Sequence, residues 1–152
     1  MVENLLALIG RFHPLIIHLP IGFIVMGLLI ELNKKKFNWS NDSLKFIFFW
    51  ASISGVLSII SGYFQYQKGG YLWDTVGGHF YAGITTVVLS VSFFLYLNNF
   101  KYFNLLPRKF YTLGHLIILT ITGHLGGNIT HGEDHLIEPI NNLVGISDEQ
   151  IN

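Results

Sequence analysis

The chain has 152 residues, of which 51% are hydrophobic and only 12% charged, and its formal net charge at pH 7 is zero. A soluble domain has about 25% charged residues, and a chain this short buries only about 70% of its surface on folding, so we expect the lipid bilayer to be its solvent. The charge balance argues against nucleic acid as a partner, and the absence of cysteine excludes disulfides, cysteine-ligated iron–sulfur clusters and covalently attached c-type haem.

Four apolar stretches follow one another along the chain, each long enough to cross a bilayer as a helix, which takes about 20 residues. They predict an all-α fold, a four-transmembrane-helix bundle with up-down-up-down topology. The predicted spans lie at about 14–32, 44–66, 75–98 and 110–130. Residues 1–135 then form one membrane domain, and residues 136–152 form a short extracytoplasmic tail with one amphipathic turn.

Basic residues are distributed unevenly between the two sides of this predicted bundle. Only Arg11 and Lys68 lie on the side of the termini. The other seven flank the first and third connections: Lys34, Lys35, Lys36, Lys45, Lys101, Arg108 and Lys109. Because cytoplasmic loops are enriched in Lys and Arg, we predict that both termini lie outside. This favours a multi-pass protein of a bacterial inner membrane whose termini face the periplasm.

Six of the seven histidines lie toward the predicted outer side. At a rise of 1.5 Å per residue, three of them lie about 6–9 Å inside the outer ends of three different spans: His18, His79 and His124. Three more lie at or beyond that boundary: His13, His131 and His135. Ionisable side chains inside spans are costly and mark functional sites, so we predict a shared cofactor or ion site. His115, alone in the cytoplasmic half, is predicted not to be a ligand.

Two of these histidines share the pattern H-x-x-x-G. His18 precedes Gly22, and His79 precedes Gly83, by four residues. A glycine at this spacing lies on the same helical face, one turn deeper, and leaves space for a flat group beside the histidine. The first and third spans run in the same direction and are diagonal in a simple bundle. We therefore predict haem b with His18 and His79 as its axial ligands.

Further residues complete the predicted site. His124 is a candidate partner of the haem or its second ligand, and Arg11 and His13 lie where the propionates would emerge. A bare copper or zinc ion is the alternative, because several imidazoles at one depth also suit these metals. Its candidate ligands are His18, His79, His124, His131 and His135.

The second span carries small residues spaced by four, three and four positions. They are Ala51, Gly55, Ser58 and Gly62. Small residues at this spacing allow close packing of helices in membranes, so we predict that this face points into the bundle.

Several of these segments together resemble a family of small bacterial membrane proteins that is catalogued as a domain of unknown function. The resemblance covers nearly the whole chain, and the segments that carry it are Phe12-His13-Pro14, the run from His18 to Gly22, Gly78-His79 and the run from Gly123 to Gly132. The family domain occurs beside c-type cytochrome and Rieske-type modules. The resemblance implies a redox setting, and it carries over to His13, His18, His79, His124 and His131.

The sequence lacks the hydrolytic motifs G-x-S-x-G and H-E-x-x-H and the P-loop. We therefore favour a non-catalytic electron-transfer subunit over an enzyme. Its expected partners are the lipid bilayer, a c-type cytochrome or other periplasmic redox protein, and quinone. A homo-oligomer could complete sites that one chain leaves open. The alternatives are a copper or zinc protein for metal handling or sensing, and a cofactor-free membrane anchor of a periplasmic redox complex.

Overall fold

The computed structural model describes residues 1–132 and 135–144, and over these residues the chain is helical and contains no strand. A short 3₁₀ helix, Lys101–Leu105, connects α5 to α6. The α-helices are α1 (Val2–Arg11), α2 (His13–Ile16), α3 (His18–Phe37), α4 (Asn41–Gly69), α5 (Trp73–Leu97), α6 (Arg108–His131) and α7 (Ile137–Val144).

Three helical segments in the described part of the chain are long and apolar enough to cross a membrane. They are His13–Phe37, which joins α2 and α3, Asn41–Gly69 and Trp73–Leu97. These segments agree with the first three predicted spans, with ends that differ by a few residues. The fourth predicted span coincides with α6, which is 24 residues long but carries three histidines and four glycines. It is less apolar than the other three and is not among them.

The four long helices form a ring. α4 packs against α3 and α5, and α6 packs against α5 and α3. Within the described residues α3 and α5 make no comparable contact, so they lie diagonally across the bundle. This agrees with the predicted placement of the first and third helices.

The bundle has two chemically different ends. At the basic end, α3 and α5 finish and α4 and α6 begin; Arg108 donates from Nε and Nη2 to the carboxylate of Glu31, each at 2.5 Å, and from Nη1 to Oδ1 of Asn41 at 2.9 Å. At the opposite end, which we call the histidine end, Lys68 forms an ion pair with Glu3.

The structure contains an N-terminal helix, α1, that precedes the first predicted span and was not predicted. α1 packs along the last turns of α4. Gly10 is buried there, and a Cβ atom at this position would lie 2.7 Å from the backbone nitrogen of Gln65, so the close approach requires glycine. In the predicted tail, α7 is an eight-residue helix rather than one turn; positions 145–152 of that tail lie outside the described residues.

The apolar core lies in the half of the bundle near the basic end. The buried large side chains cluster there: Ile24, Leu28, Ile30, Leu44, Ile47, Phe48, Phe93, Leu97 and Tyr111. Phe48 and Phe93 meet edge to face with ring centroids 4.6 Å apart. In the half near the histidine end, the buried residues of the described chain are small, and they include Ser58, Ser61, Gly77 and Ala82. The two halves are therefore packed differently.

The small-residue face of α4 points into the bundle, as predicted. Ala51, Gly55 and Ser58 are buried, and Gly62 is half-buried. A Cβ atom at Gly55 would lie 2.6 Å from Cγ2 of Val87 on α5. This glycine thus allows α4 and α5 to approach closely.

Candidate functional site

His13 begins the first spanning segment and faces α4. Its Nδ1 lies 3.1 Å from the carbonyl oxygen of Ser58 and 3.1 Å from Oγ of Ser61. The ring lies against Gly62, where a Cβ atom would be 2.9 Å from Cε1 of His13. The sequence placed His13 near the haem propionates, whereas the structure turns it into the bundle.

His79 has the same kind of environment on the diagonal helix α5. Its Nδ1 lies 3.0 Å from the carbonyl oxygen of Thr122 on α6. The ring lies against Gly126, where a Cβ atom would be 3.0 Å from its Cε1. Each histidine is therefore held by a carbonyl and a glycine of a neighbouring helix, α4 for His13 and α6 for His79.

These contacts fix the tautomers of both rings. A carbonyl oxygen only accepts hydrogen bonds, so Nδ1 carries the proton in each ring and Nε2 keeps its lone pair. Among the described residues, neither Nε2 has a hydrogen-bond partner. Metal-bound histidines typically bind through one nitrogen and donate from the other to a carbonyl in this way.

His18 is not aimed at the core of this single chain, contrary to the prediction. Its imidazole is exposed, and its Nδ1 donates to the carbonyl oxygen of Pro14 at 2.6 Å. Gly22, one turn deeper, is exposed as well and has open space beside it. The H-x-x-x-G face of α3 therefore points away from the bundle.

The second H-x-x-x-G pattern retains the predicted space. A Cβ atom at Gly83, one turn deeper than His79, would meet nothing within 4 Å, and Gly83 is half-buried. In the same half of the bundle, Oδ1 of Asn128 is buried and has no hydrogen-bond partner among the described residues. A buried polar atom of this kind calls for an explanation such as a bound group.

The other outward histidines form a separate cluster at the end of α6. The ring of His135 lies 6.0 Å from that of His124 and 5.9 Å from that of His131, measured between centroids. Nδ1 of His135 donates to the carbonyl oxygen of Gly132 at 2.8 Å. His124 is exposed and stacks on His135, so the structure does not bring it together with His18 and His79 as predicted.

No three metal-binding side chains in positions 1–132 and 135–144 are close enough to hold an ion. The acidic residues between His131 and His135 lie outside these positions. Arg11, the predicted propionate partner, is exposed at the end of α1.

His115 is buried in the other half of the bundle. Its Nδ1 donates to the carbonyl oxygen of Tyr111 at 2.7 Å, and its Nε2 lies 3.1 Å from Oγ of Ser90. The ring packs against Phe48 and Phe93. Both nitrogens are thus engaged, and Ser90 is the partner that the sequence did not reveal. That His115 is not a ligand stays a prediction.

Sequence reasoning also missed the groups that orient the two inward histidines. Ser58 was noted only as part of the small-residue face, and Asn128 only within the run from Gly123 to Gly132. Ser61 and Thr122 were not noted. The sequence signal that could have revealed two of them is spacing, because Ser58 and Ser61 lie within about one turn of Gly62 on α4.

Comparison of the chain with models of protein families, with curated proteins and with solved structures finds no match.

Proposed function

We propose that this protein is a b-type haem-binding electron-transfer subunit of the membrane, with His13 and His79 as the axial ligands of one haem. The observation that carries the proposal is the pair of inward-facing imidazoles on α2 and α5, each donating from Nδ1 to a carbonyl and keeping Nε2 open. When bound, haem b supplies a one-electron iron couple. The carbonyls of Ser58 and Thr122 orient the rings and raise the basicity of Nε2.

Two features near the histidine end support the proposal of a bound group. Open space lies beside Gly83, one turn from His79, and the buried oxygen of Asn128 lacks a partner among the described residues. Large apolar side chains fill the basic half of the bundle instead. This choice keeps His79 of the predicted pair and replaces His18 by His13.

The proposal includes a fourth crossing by α6 and an outward-facing histidine end. α6 packs against both α3 and α5, each of which belongs to a segment apolar enough to cross a membrane. Electrons would then be exchanged at the periplasmic face with a c-type cytochrome or with quinol. In the half of the bundle near the basic end, His115 is the one histidine that could bind a second haem. This chain alone would therefore not carry electrons across the membrane.

Absorption spectra test the axial pair. The full chain is expressed with ample haem, purified in detergent and examined by reduced-minus-oxidised difference spectra. We expect a low-spin b-type signal in the wild type, and at least tenfold less haem per chain in His13→Ala and His79→Ala, because each loses one ligand. His18→Ala and His124→Ala are matched controls that remove exposed imidazoles, and they should keep the signal.

Loss of haem in His18→Ala with retention in His13→Ala would return the second ligand to α3. A folded wild type that binds no haem would sink the cytochrome proposal altogether. The helical content of each variant, measured by far-ultraviolet circular dichroism, separates loss of a ligand from misfolding.

A second candidate function rests on the separate cluster of His124, His131 and His135. The centroids of the His124 and His131 rings lie 6.0 Å and 5.9 Å from that of His135. To hold one copper or zinc ion, for which imidazoles are usual ligands, the three described side chains would have to move closer together than the structure places them. Elemental analysis of protein washed with chelator and reloaded with one metal would test it. Stoichiometric copper or zinc that disappears in His135→Ala, but not in His79→Ala, would support a metal-handling role. If the protein binds neither haem nor metal, the remaining candidate is the cofactor-free membrane anchor.

A further inference from the structure

A groove of about 470 Å³ opens between α3 and α6 at the basic end. On the side toward the middle of the helices its lining is apolar and includes Leu32, Leu113 and Leu116, which are 42–64% exposed. On the side toward the basic end it carries Lys35 from α3 and Lys109 from α6. Leu113 and Leu116 follow Lys109 by about one and two turns, so the lining changes from cationic to apolar within about 10 Å.

The charge of this groove is not balanced by its own residues. Three cationic side chains and one carboxylate line it, which leaves two positive charges. The carboxylate of Glu31 is already occupied by Arg108, which also donates to Asn41. The ion pairs in the described part of the chain involve Lys45, Lys68 and Arg108. Lys35 and Lys109 are therefore available to an external anion.

We infer that this groove binds an anionic phospholipid. The phosphate would lie between Lys35 and Lys109, and an acyl chain would run along Leu32, Leu113 and Leu116. Basic pockets between transmembrane helices on the cytoplasmic side recognise anionic headgroups in this way. A free phosphate would leave the leucines uncovered, and a zwitterionic lipid would bring an ammonium group to the lysines. The inference rests on the proposed crossing by α6, but not on haem.

Native mass spectrometry of the full chain tests the site. Protein in detergent is incubated with phosphatidylglycerol or phosphatidylcholine of identical acyl chains, and the lipid retained per chain is measured. We expect the wild type to retain at least about fivefold more phosphatidylglycerol. The double variant Lys35→Gln/Lys109→Gln should retain phosphatidylglycerol only at the phosphatidylcholine level, a loss of up to about 25-fold, since each of the two lysines near an anionic surface contributes about a fivefold factor in affinity.

A matched control, Lys36→Gln/Lys101→Gln, removes two lysines of the same end that do not line the groove, and it should bind like the wild type. Leu113→Trp should lower retention without changing charge, because it fills the apolar part. Equal retention of the two lipids by the wild type, or equal loss in both lysine pairs, would overturn the inference. So would full displacement of the lipid by millimolar inorganic phosphate, which would indicate a free-anion site. The readout does not depend on haem content, so its failure is distinct from failure of the cytochrome proposal.

Discussion

The directions of His13 and His18 determine which of them the proposed haem can use as a ligand. His13 and His18 are five residues apart, which places them about 140° apart on a helix, so only one of them can face the bundle. α4 determines which one. It offers the Ser58 carbonyl, the Ser61 hydroxyl and the bare backbone of Gly62 to His13, while His18 is left with the carbonyl of Pro14.

Gly62→Ala should weaken haem binding without abolishing folding. The new Cβ would lie 2.9 Å from Cε1 of His13, so the ring must move. Overpacking of this kind costs about 1–3 kcal/mol, which corresponds to an affinity lower by about fivefold to 150-fold. Gly22→Ala is the matched control, because a Cβ there meets nothing within 4 Å. Haem titration of both variants checks this, and equal affinities would show that His13 is not held by this contact.

The contact between Ser90 and His115 should stabilise the bundle. Nε2 of His115 is buried, and among the described residues its partner is Ser90 at 3.1 Å. Interhelical hydrogen bonds in membranes contribute about 0.6 kcal/mol on average, and up to about 1.7 kcal/mol. A double-mutant cycle with Ser90→Ala and His115→Phe, read by unfolding in mixed micelles, should give a coupling energy in this range. A coupling of zero would mean that the contact contributes no stability.

At the scale of helices, one side chain connects three helices at the basic end. Arg108 begins α6 and bonds to Glu31 near the end of α3 and to Asn41 at the start of α4. The side chains of Arg108 and Glu31 are only 24% and 13% exposed, so water weakens their attraction less than at an open surface. The ion pair of Lys68 and Glu3 lies at exposed helix ends. Water weakens its attraction more strongly, since the side chain of Glu3 is 73% exposed.

Arg108→Gln should therefore destabilise the bundle more than Lys68→Gln does. We expect a loss of about 1–3 kcal/mol in the free energy of unfolding for Arg108→Gln, because the Glu31 carboxylate is left without its cation. The Lys68→Gln variant should change it by less than about 1 kcal/mol. Denaturant titrations followed by circular dichroism give both values. Equal changes would contradict a special role of the partly buried pair.

Seven of the nine basic residues lie in and beside the two connections at the basic end of the whole molecule. The contact of Glu31 with Arg108 brings these connections to the same end of the bundle. The positive-inside rule predicts that this end faces the cytoplasm. The number of crossings then depends on α6, whose composition is less apolar than that of the other long helices.

Fusions to alkaline phosphatase should resolve the topology. We expect high activity after Asn152 and low activity after Lys36, because four crossings place both termini outside. Low activity of both fusions would indicate three crossings, with α6 left on the cytoplasmic side. High activity after Lys36 and none after Asn152 would invert the orientation. Immunoblots of the fusions control for expression.

Hydropathy was sufficient to predict three helices that are long and apolar enough to span a membrane. The spacing of Gly55 and Ser58 was sufficient to predict the inward face of α4. The facing of His13 was not predictable, because it depends on groups of α4 that are 45 or more residues away along the chain. α1 was missed because ten residues are too short for a crossing, and its position depends on the close approach of Gly10 to Gln65. Ser90, the partner of His115, was not predictable either, because it lies on another helix and 25 residues away along the chain.

The uneven packing of the two halves has a consequence for assembly. The half near the basic end is closed by large buried apolar side chains and by the contact of Arg108 with Glu31. The half near the histidine end contains small and polar groups, so its helix ends open at lower free energy. If haem is bound as proposed, we expect insertion into the membrane to come first and loading of the haem second. The apolar half would then already be packed when the haem enters between the helices of the other half.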